Sequence, residues 1–425
     1  MAFRFLHLAD LHLETHFGGR PATRARLRQA TLVAFQRAVE FAIAEDLHAV
    51  LIAGDLFDDP LLSLPTELEI VRAVERLTSA GIWVLYACGN HDPGGAGRRA
   101  SGLDLEREAI ARGRVHVFRS ARPEPVRIVD RQGVEVGVVV GAGHETDHEA
   151  RDLAQAFPRL DTKLPVVGLL HTQVESARAA EEHERYAPST ARDFAHPNYA
   201  YWALGHVHIR QQAVPDLPVW YSGNLQGRNA RERGPKGGLV VEAEAGGAAT
   251  PGFVPFAPVR WEAIDIEGIE QVASTAALVD ALIVEVEAER RRGSEELALR
   301  LFLKGPSPLA PRLRDAETRT DLEQELIARG VALDVQIDTR DLRAPRDIEA
   351  LRQTPSVLQA VFETIEKARR VGKLRRELAP TLLAGFDEAG VDPDELPAAR
   401  QQYLLKLLDG IEEDVLERCL DQEAT

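Results

Sequence analysis

Five short segments of this 425-residue chain gather its metal-ligating side-chain types. They are Asp10-Leu11-His12, Gly54-Asp55, Gly89-Asn90-His91-Asp92, Leu170-His171 and Gly205-His206-Val207-His208. Seven of their side chains, Asp10, His12, Asp55, Asn90, His171, His206 and His208, can give an oxygen or nitrogen to a divalent ion. Seven donors exceed what one tetrahedral zinc needs. Two ions sharing one bridging carboxylate account for them better, and a pair of ions ~3.5–4 Å apart is a recurrent device for hydrolysing phosphate esters. A lone DxH or GD would be noise. At average residue usage, a string such as Gly-Asn-His-Asp arises by chance in roughly one chain in several hundred, so the joint pattern is specific.

The elements that must carry these residues are legible nearby. Residues 3–9, 49–53 and 82–86 read as strands ending at Asp10, Gly54-Asp55 and Gly89-Asn90, with helices over 27–46 and 66–80 between them. Residues two apart on a strand share a face, so Asp10 and His12 can approach one ion. Gly54, Gly89 and Gly205 precede ligands where the chain must turn sharply. Further strands are expected at 134–140, 165–170, 201–205, 218–222 and 238–242, giving an α/β fold with a second sheet packed on the first. Strand ends are where open α/β sheets place their ligands. Around residues 244–258 the chain turns Gly-, Ala- and Pro-rich, a plausible boundary. Helix (269–291), strand (296–304), helix (311–329) and strand (331–339) then read as a compact α+β unit. From Pro345 onward the pattern is helical, with apolar stripes Val357/Val361/Phe362/Ile365 and Leu404/Leu408/Ile411/Val415. The expected domains are therefore 1–257, 258–344 and 345–425.

Composition narrows the class. The chain is 44% hydrophobic and 28% charged, with mean hydropathy −0.20, and no apolar run approaches the ~20 residues of a membrane span. No secretory signal is evident, so the expected localisation is cytoplasmic, with no membrane partner. Two cysteines, Cys88 and Cys419, exclude a disulfide framework and a CxxC zinc site. The net charge of −16 argues against a protein coated with nucleic acid. The charge is uneven, however: residues 1–260 hold 29 basic and 32 acidic residues, and residues 261–425 hold 22 and 35. A polyanionic substrate fits the first part only. Its basic stretches are Arg20–Arg28 and Arg98–Arg131; Arg24, Arg28, Arg98 and Arg99 are candidate DNA contacts, against the default of solvated faces.

The set D-x-H, GD, GNHD, H and GHxH, in this order, resembles the calcineurin-like metallophosphoesterases. Leu6–Leu13 and Gly54-Asp55-Leu56-Phe57-Asp58 look most like the SbcD-like DNA-repair nucleases, including the YhaO type. The resemblance covers residues 1–227, with Ser222-Gly223-Asn224 as a weaker last element. It implies a calcineurin-like two-sheet sandwich flanked by helices, an α+β cap and a helical C-terminal region. It further implies Asp10, His12 and His208 on one ion, Asp55 bridging, and Asn90, His171 and His206 on the second. His91 would be the catalytic non-ligand, oriented by Asp92, assisting attack of metal-activated hydroxide on the phosphate. The implied ions are manganese, with Mg2+, Fe2+ or Zn2+ as alternatives. The implied partners are DNA, an SMC-like ATPase of the SbcC kind and a second copy of the chain.

Two other classes stand beside the nuclease: a metallophosphatase or phosphodiesterase acting on a small nucleotide or phosphoprotein, and a noncatalytic scaffold. Serine/threonine phosphatases of the superfamily typically read GNHE and GDxVDRG, where this chain has Asp92 and Leu56-Phe57-Asp58-Asp59-Pro60. A small phosphodiesterase does not need ~165 residues after its core. A scaffold needs a broken site, and no ligand is missing here. The remaining histidines, His7, His16, His48, His116, His144, His148, His183 and His196, match no motif position and read as ordinary core or surface residues.

Overall fold

The computed structural model describes residues 2–58, 62–94, 104–178, 186–195, 198–345 and 357–370. The first strands are β1 (Phe3–Leu8), β2 (Ala49–Ala53), β3 (Trp83–Ala87) and β4 (Val115–Phe118), with helices α1 (Pro21–Ala44), α2 (Leu64–Ser79) and α3 (Glu108–Ala111) between them. There follow β5 (Glu124–Val129), β6 (Glu135–Ala142), β7 (Val166–His171), β8 (Tyr199–Gly205), β9 (Gln211–Val214), β10 (Val219–Tyr221), β11 (Gly237–Ala243) and β12 (Gly252–Pro255). They form two six-stranded sheets, in the orders β12-β11-β1-β2-β3-β4 and β5-β6-β7-β8-β10-β9. The inner strands β1 to β4 run parallel, as do β6, β7, β8 and β10; the edges are antiparallel additions, β11 and β12 on one sheet and β5 and β9 on the other.

Side-chain alternation assigns each face. Phe3, Phe5, Leu51 and Leu85 of the first sheet pack with Val139, Val167, Leu169 and Tyr201 of the second, filling the space between the sheets. Leu6, Leu8, Val50, Ile52 and Val84 point the other way, onto Phe35, Val39, Ile70 and Leu77 of the two long helices. The outer face of the second sheet is covered around Trp202, Phe157, Phe194 and Tyr221. His7 lies inside the sandwich, its ring nitrogens 3.1 Å from the Tyr201 hydroxyl and 3.1 Å from the Leu204 carbonyl, so a buried polar ring is fully partnered.

A smaller parallel layer follows: β13 (Val259–Ile266), β14 (Glu296–Leu303) and the strand Asp334–Asp338, with α4 (Thr275–Arg290), α5 (Ala310–Leu313) and α6 (Ala316–Ala328). The expected single helix over 311–329 is broken, because the Asp315 carboxylate accepts from Thr318 N at 2.7 Å and starts a new helix. Val259, Trp261 and Ala298 pack on Leu27 and Ala30 of α1. The chain divides into two compact units, Met1–Gly305 with Leu309–Leu342, and Pro306–Pro308 with Arg343–Thr425. In the second unit the helix Val357–Arg370 buries Phe362 and Ile365; the stripe Leu404–Val415 lies outside the described residues. Among the described residues no helix is long and apolar enough to cross a membrane.

Candidate metal centre

The candidate ligands sit where β1, β2, β3, β7 and β8 end, and the backbone there is forced. Asp10, His12, Asp55 and His206 hold positive φ angles of 51°, 45°, 50° and 108°, a region that costs an L-residue roughly 1–2 kcal/mol. Such strain persists only where the surroundings over-determine it. Here Asp10 N donates to Gly54 O at 3.2 Å and His12 N to Asp55 O at 3.0 Å, tying the first two loops together. Gly54 is required twice over: its φ is +85°, and a Cβ there would overlap the His171 ring. At Gly89 a Cβ would overlap the Asp55 carboxylate.

These turns bring the donors into one buried cluster. Asp10, His12 and His208 can offer ligand atoms within 4.8 Å of one another, and so can Asp10, Asp55 and His171. Asp55 Oδ1 accepts from His91 N at 3.0 Å. Its Oδ2 is 3.7 Å from His12 Nε2 and 3.5 Å from His171 Nε2, between one imidazole of each expected set. Asn90 Oδ1 lies 3.0 Å from His171 Nε2. His206 closes the group, its ring centroid 5.2 Å from that of His171 and its backbone N–H donating to both Asp10 oxygens at 3.0 and 3.2 Å. All seven expected donors are therefore neighbours.

An outer shell of acceptors fixes the rings. His12 Nδ1 is 2.9 Å from Asp58 Oδ1, His208 Nδ1 is 2.9 Å from Glu232 Oε1, and His171 Nδ1 is 2.9 Å from Ala53 O. Each acceptor claims an Nδ1–H, which leaves Nε2 as a lone-pair donor. His12 Nε2 and His208 Nε2 then face each other at 3.2 Å with no hydrogen to share. Two lone pairs held this way call for a cation between them, and their spacing suits two ligands of one ion at ~2.0–2.1 Å. The charges agree. Burial drives His208 down to about 3 and also lowers His12 despite Asp58, so both are neutral ligands. Burial pushes the Asp10 carboxyl up to about 7, with His171 opposing and Asp55 adding to it. Burial would raise Asp55 too, but His171, His12 and His91 outweigh it and hold it below the usual carboxylate range. His171 is pushed the other way, its burial outweighed by the Asp55 and Asp10 carboxylates, and buried carboxylates and imidazoles at this density fit divalent ions.

His91 stands apart from the buried donors. Its side chain is 39% exposed, its ring lies edge-on to His12 at 4.9 Å, and Nδ1 is 3.1 Å from Asp58 Oδ1. Its Nε2 is thus left for a ligand at the mouth. The resemblance gives Asp92 the task of orienting His91, and the structure corrects this. The buried Asp92 carboxylate is consumed by the backbone N–H groups of Gly89 (2.6 Å), Leu56 (2.5 Å) and Asp55 (3.2 Å). It braces two ligand loops, and Asp58 holds the His91 ring.

Four residues to which the sequence assigns no role belong here. Asp58 lies in the Gly54–Asp58 string, Glu232 in an Arg-Glu-Arg run outside every motif, and His144 among the histidines that match no motif position. His144 Nε2 meets His171 O at 2.8 Å. Arg228 reaches both outer carboxylates, 3.5 Å from Asp58 and 3.5 Å from Glu232. Of the candidate DNA contacts, Arg24 and Arg28 are exposed on α1, while Arg98 and Arg99 lie outside the described residues. Their neighbours Arg20 and Arg26 are occupied, Arg20 by Asp334 and by Glu323 at 2.7 Å, Arg26 by Glu296.

A calcineurin-like phosphoesterase family model matches residues 3–210. The uncharacterized metallophosphoesterase YhaO of Bacillus subtilis (strain 168) is 30% identical over 310 residues, 72% of each chain. The DNA double-strand break repair protein Mre11 of Aeropyrum pernix is 37% identical over 220 residues, 52% of each chain. The SbcD component of the SbcCD nuclease of Rhodobacter capsulatus is 27% identical over 315 residues, 66% of this chain and 76% of that one. The chain belongs to the calcineurin-like phosphoesterase family, with the α/β fold of that family. Within it, this protein is a metal-dependent phosphoesterase whose clustered Asp and His side chains can hold an ion pair.

Proposed function

We propose that this protein is a two-metal DNA nuclease that works with an SMC-like ATPase. One observation carries the reading: a buried set of metal donors opens beside a half-exposed imidazole whose Nδ1 is fixed. Asp10, His12 and His208 would hold one ion, Asn90, His171 and His206 the other, and Asp55 Oδ2 would touch both. When bound, the ions, proposed as Mn2+, supply Lewis acidity and lower the pKa of water. The protein's own residues do the rest. Asp58 orients the His91 ring through Nδ1–H; in its imidazolium form the ring's Nε2–H can donate to the phosphate or pass its proton to the leaving oxygen. Glu232, Asp58 and Ala53 O fix three imidazoles, and Asp92 locks the loops that carry Asp55 and Asn90. The substrate class is supported by relatives whose names place them in double-strand break repair and in a nuclease complex.

The test is a comparison of rates for the purified full chain in Mn2+ on labelled single- and double-stranded DNA, a simple phosphodiester and a phosphomonoester. Cleavage of DNA and of the diester well above the monoester is expected. Preference for the monoester would move the protein to the phosphatases.

A further inference from the structure

Behind His208, on the side of its backbone carbonyl, lies a cleft of about 280 Å³ between the segments 209–210, 222–224, 231–237 and Phe253. It sits at an edge of the sandwich, next to β9 and β12, the edge strands of the two sheets. Arg210, Arg231, Arg233 and Lys236 all line it. The Arg210 guanidinium carbon sits over the Phe253 ring, 3.6 Å from its centre, and no hydrogen bond of the guanidinium is found among the described residues. Lys236 is 8% exposed, and the one hydrogen bond of its ammonium among the described residues runs to His208 O at 2.9 Å. An ammonium has three donors. Among the described residues neither these arginines nor Lys236 is in an ion pair. One acid, Glu232, also lines the cleft, but its oxygens are taken by His208 Nδ1 at 2.9 Å, Asn224 Nδ2 at 2.6 Å and Arg228 N at 2.7 Å. Four cations thus line one cleft against a single acid, Glu232, on a chain of net charge −16.

We propose that this cleft binds a phosphate of the substrate strand other than the one cut, and so selects a polynucleotide over an isolated phosphodiester. The inference rests on the nuclease reading and adds a second anchoring point to it. The chemistry is that of backbone recognition: arginine forks and a lysine point charge meeting phosphate oxygens, with no base read. Glu232 lines the cleft and also holds the His208 ring, so the cleft adjoins the metal centre through that residue, and in this proposal one strand engages both.

The experiment uses the full chain in Mn2+ with two substrates, bis(p-nitrophenyl) phosphate and a single-stranded 20-mer. For each, kcat/KM is measured across a range of salt. In the variant R210A/R231A/R233A the ratio of 20-mer to small-diester kcat/KM should fall by roughly 10- to 100-fold, mostly through KM. The salt dependence of 20-mer binding should flatten by about 0.7 in log–log slope per lost contact. The single variant Arg231→Glu, at an exposed position, should move both readouts the same way. Its folding is checked by melting temperature and metal content. An unchanged ratio and slope in folded variants overturns the proposal. Failure of the nuclease reading would show earlier and separately, as wild-type protein that cleaves the small diester but neither binds nor cuts the 20-mer.

Discussion

At the scale of single residues, the centre separates holding ions from handling the phosphate. Asp55 Oδ2 lies between His12 and His171, so Asp55→Ala should lose both ions and nearly all hydrolysis. Metal analysis of the variant checks this, and two ions at wild-type occupancy would remove Asp55 from the bridging position. His91 has no part in the buried donor set. His91→Ala should keep both ions and substrate affinity while turnover falls by roughly 10²–10⁴, the range for a positioned acid or base. Asp58→Ala separates the two functions differently, since its Oδ1 serves both His12 and His91. It should weaken metal binding by about 10- to 100-fold, as loss of an outer partner does, and lower turnover even at saturating metal. A turnover restored fully by excess Mn2+ would limit Asp58 to the His12 ring. The seven donors are legible in the sequence because strand-end ligands keep short, ordered strings. Glu232 is not, because an acceptor behind an imidazole needs only to reach Nδ1 and can come from any loop. Asp92 misleads for a related reason. Its neighbour in sequence is His91, but three backbone N–H groups compete for its oxygens in the fold.

At the scale of elements, the glycine turns do as much as the ligands. Gly54→Ala places a methyl group in the His171 ring at a left-handed φ, so this variant should lose metal occupancy and melt lower. Gly133 has a similar φ of +80° but open space around it. Gly133→Ala should cost only the conformational ~1–2 kcal/mol and leave metal content unchanged. Comparing melting temperature and bound metal in the pair isolates the steric term; equal metal content would show that the His171 ring can yield. The long strands and helices are readable from periodicity, and their limits are not. α1 begins at Pro21, six residues before its apolar spacing starts, since proline suits a first helical turn. β4, four residues long, and β5 escape the pattern as edge strands, the second carrying Pro125, which an edge tolerates. β13 is hidden by Arg260, a buried cation at its second residue. It is partnered by Glu262 and Glu289 at 2.6 Å each, and the ion pairs break the alternation a strand normally shows.

At the scale of the molecule, every candidate ligand precedes residue 209, while the acidic excess lies after residue 260. A chain ending at Arg340 should therefore still bind two ions and hydrolyse a small phosphodiester in Mn2+, but fail to capture an SMC-like ATPase from native extract. Undiminished capture would move the docking surface into the first 340 residues, and loss of hydrolysis would show that the C-terminal unit supports the core. The order of strands has a consequence of its own during synthesis. β1 pairs on one side with β2 within some fifty residues, but its other neighbour is β11, where His7 meets Leu239. At about 5–20 residues per second, that flank of the first strand waits on the order of ten to fifty seconds for its mate to leave the ribosome. For that interval the nascent chain carries an open hydrogen-bonding edge beside Phe3 and Phe5. A chaperone that shields exposed strand edges should therefore raise the yield of this protein more than one that acts after release.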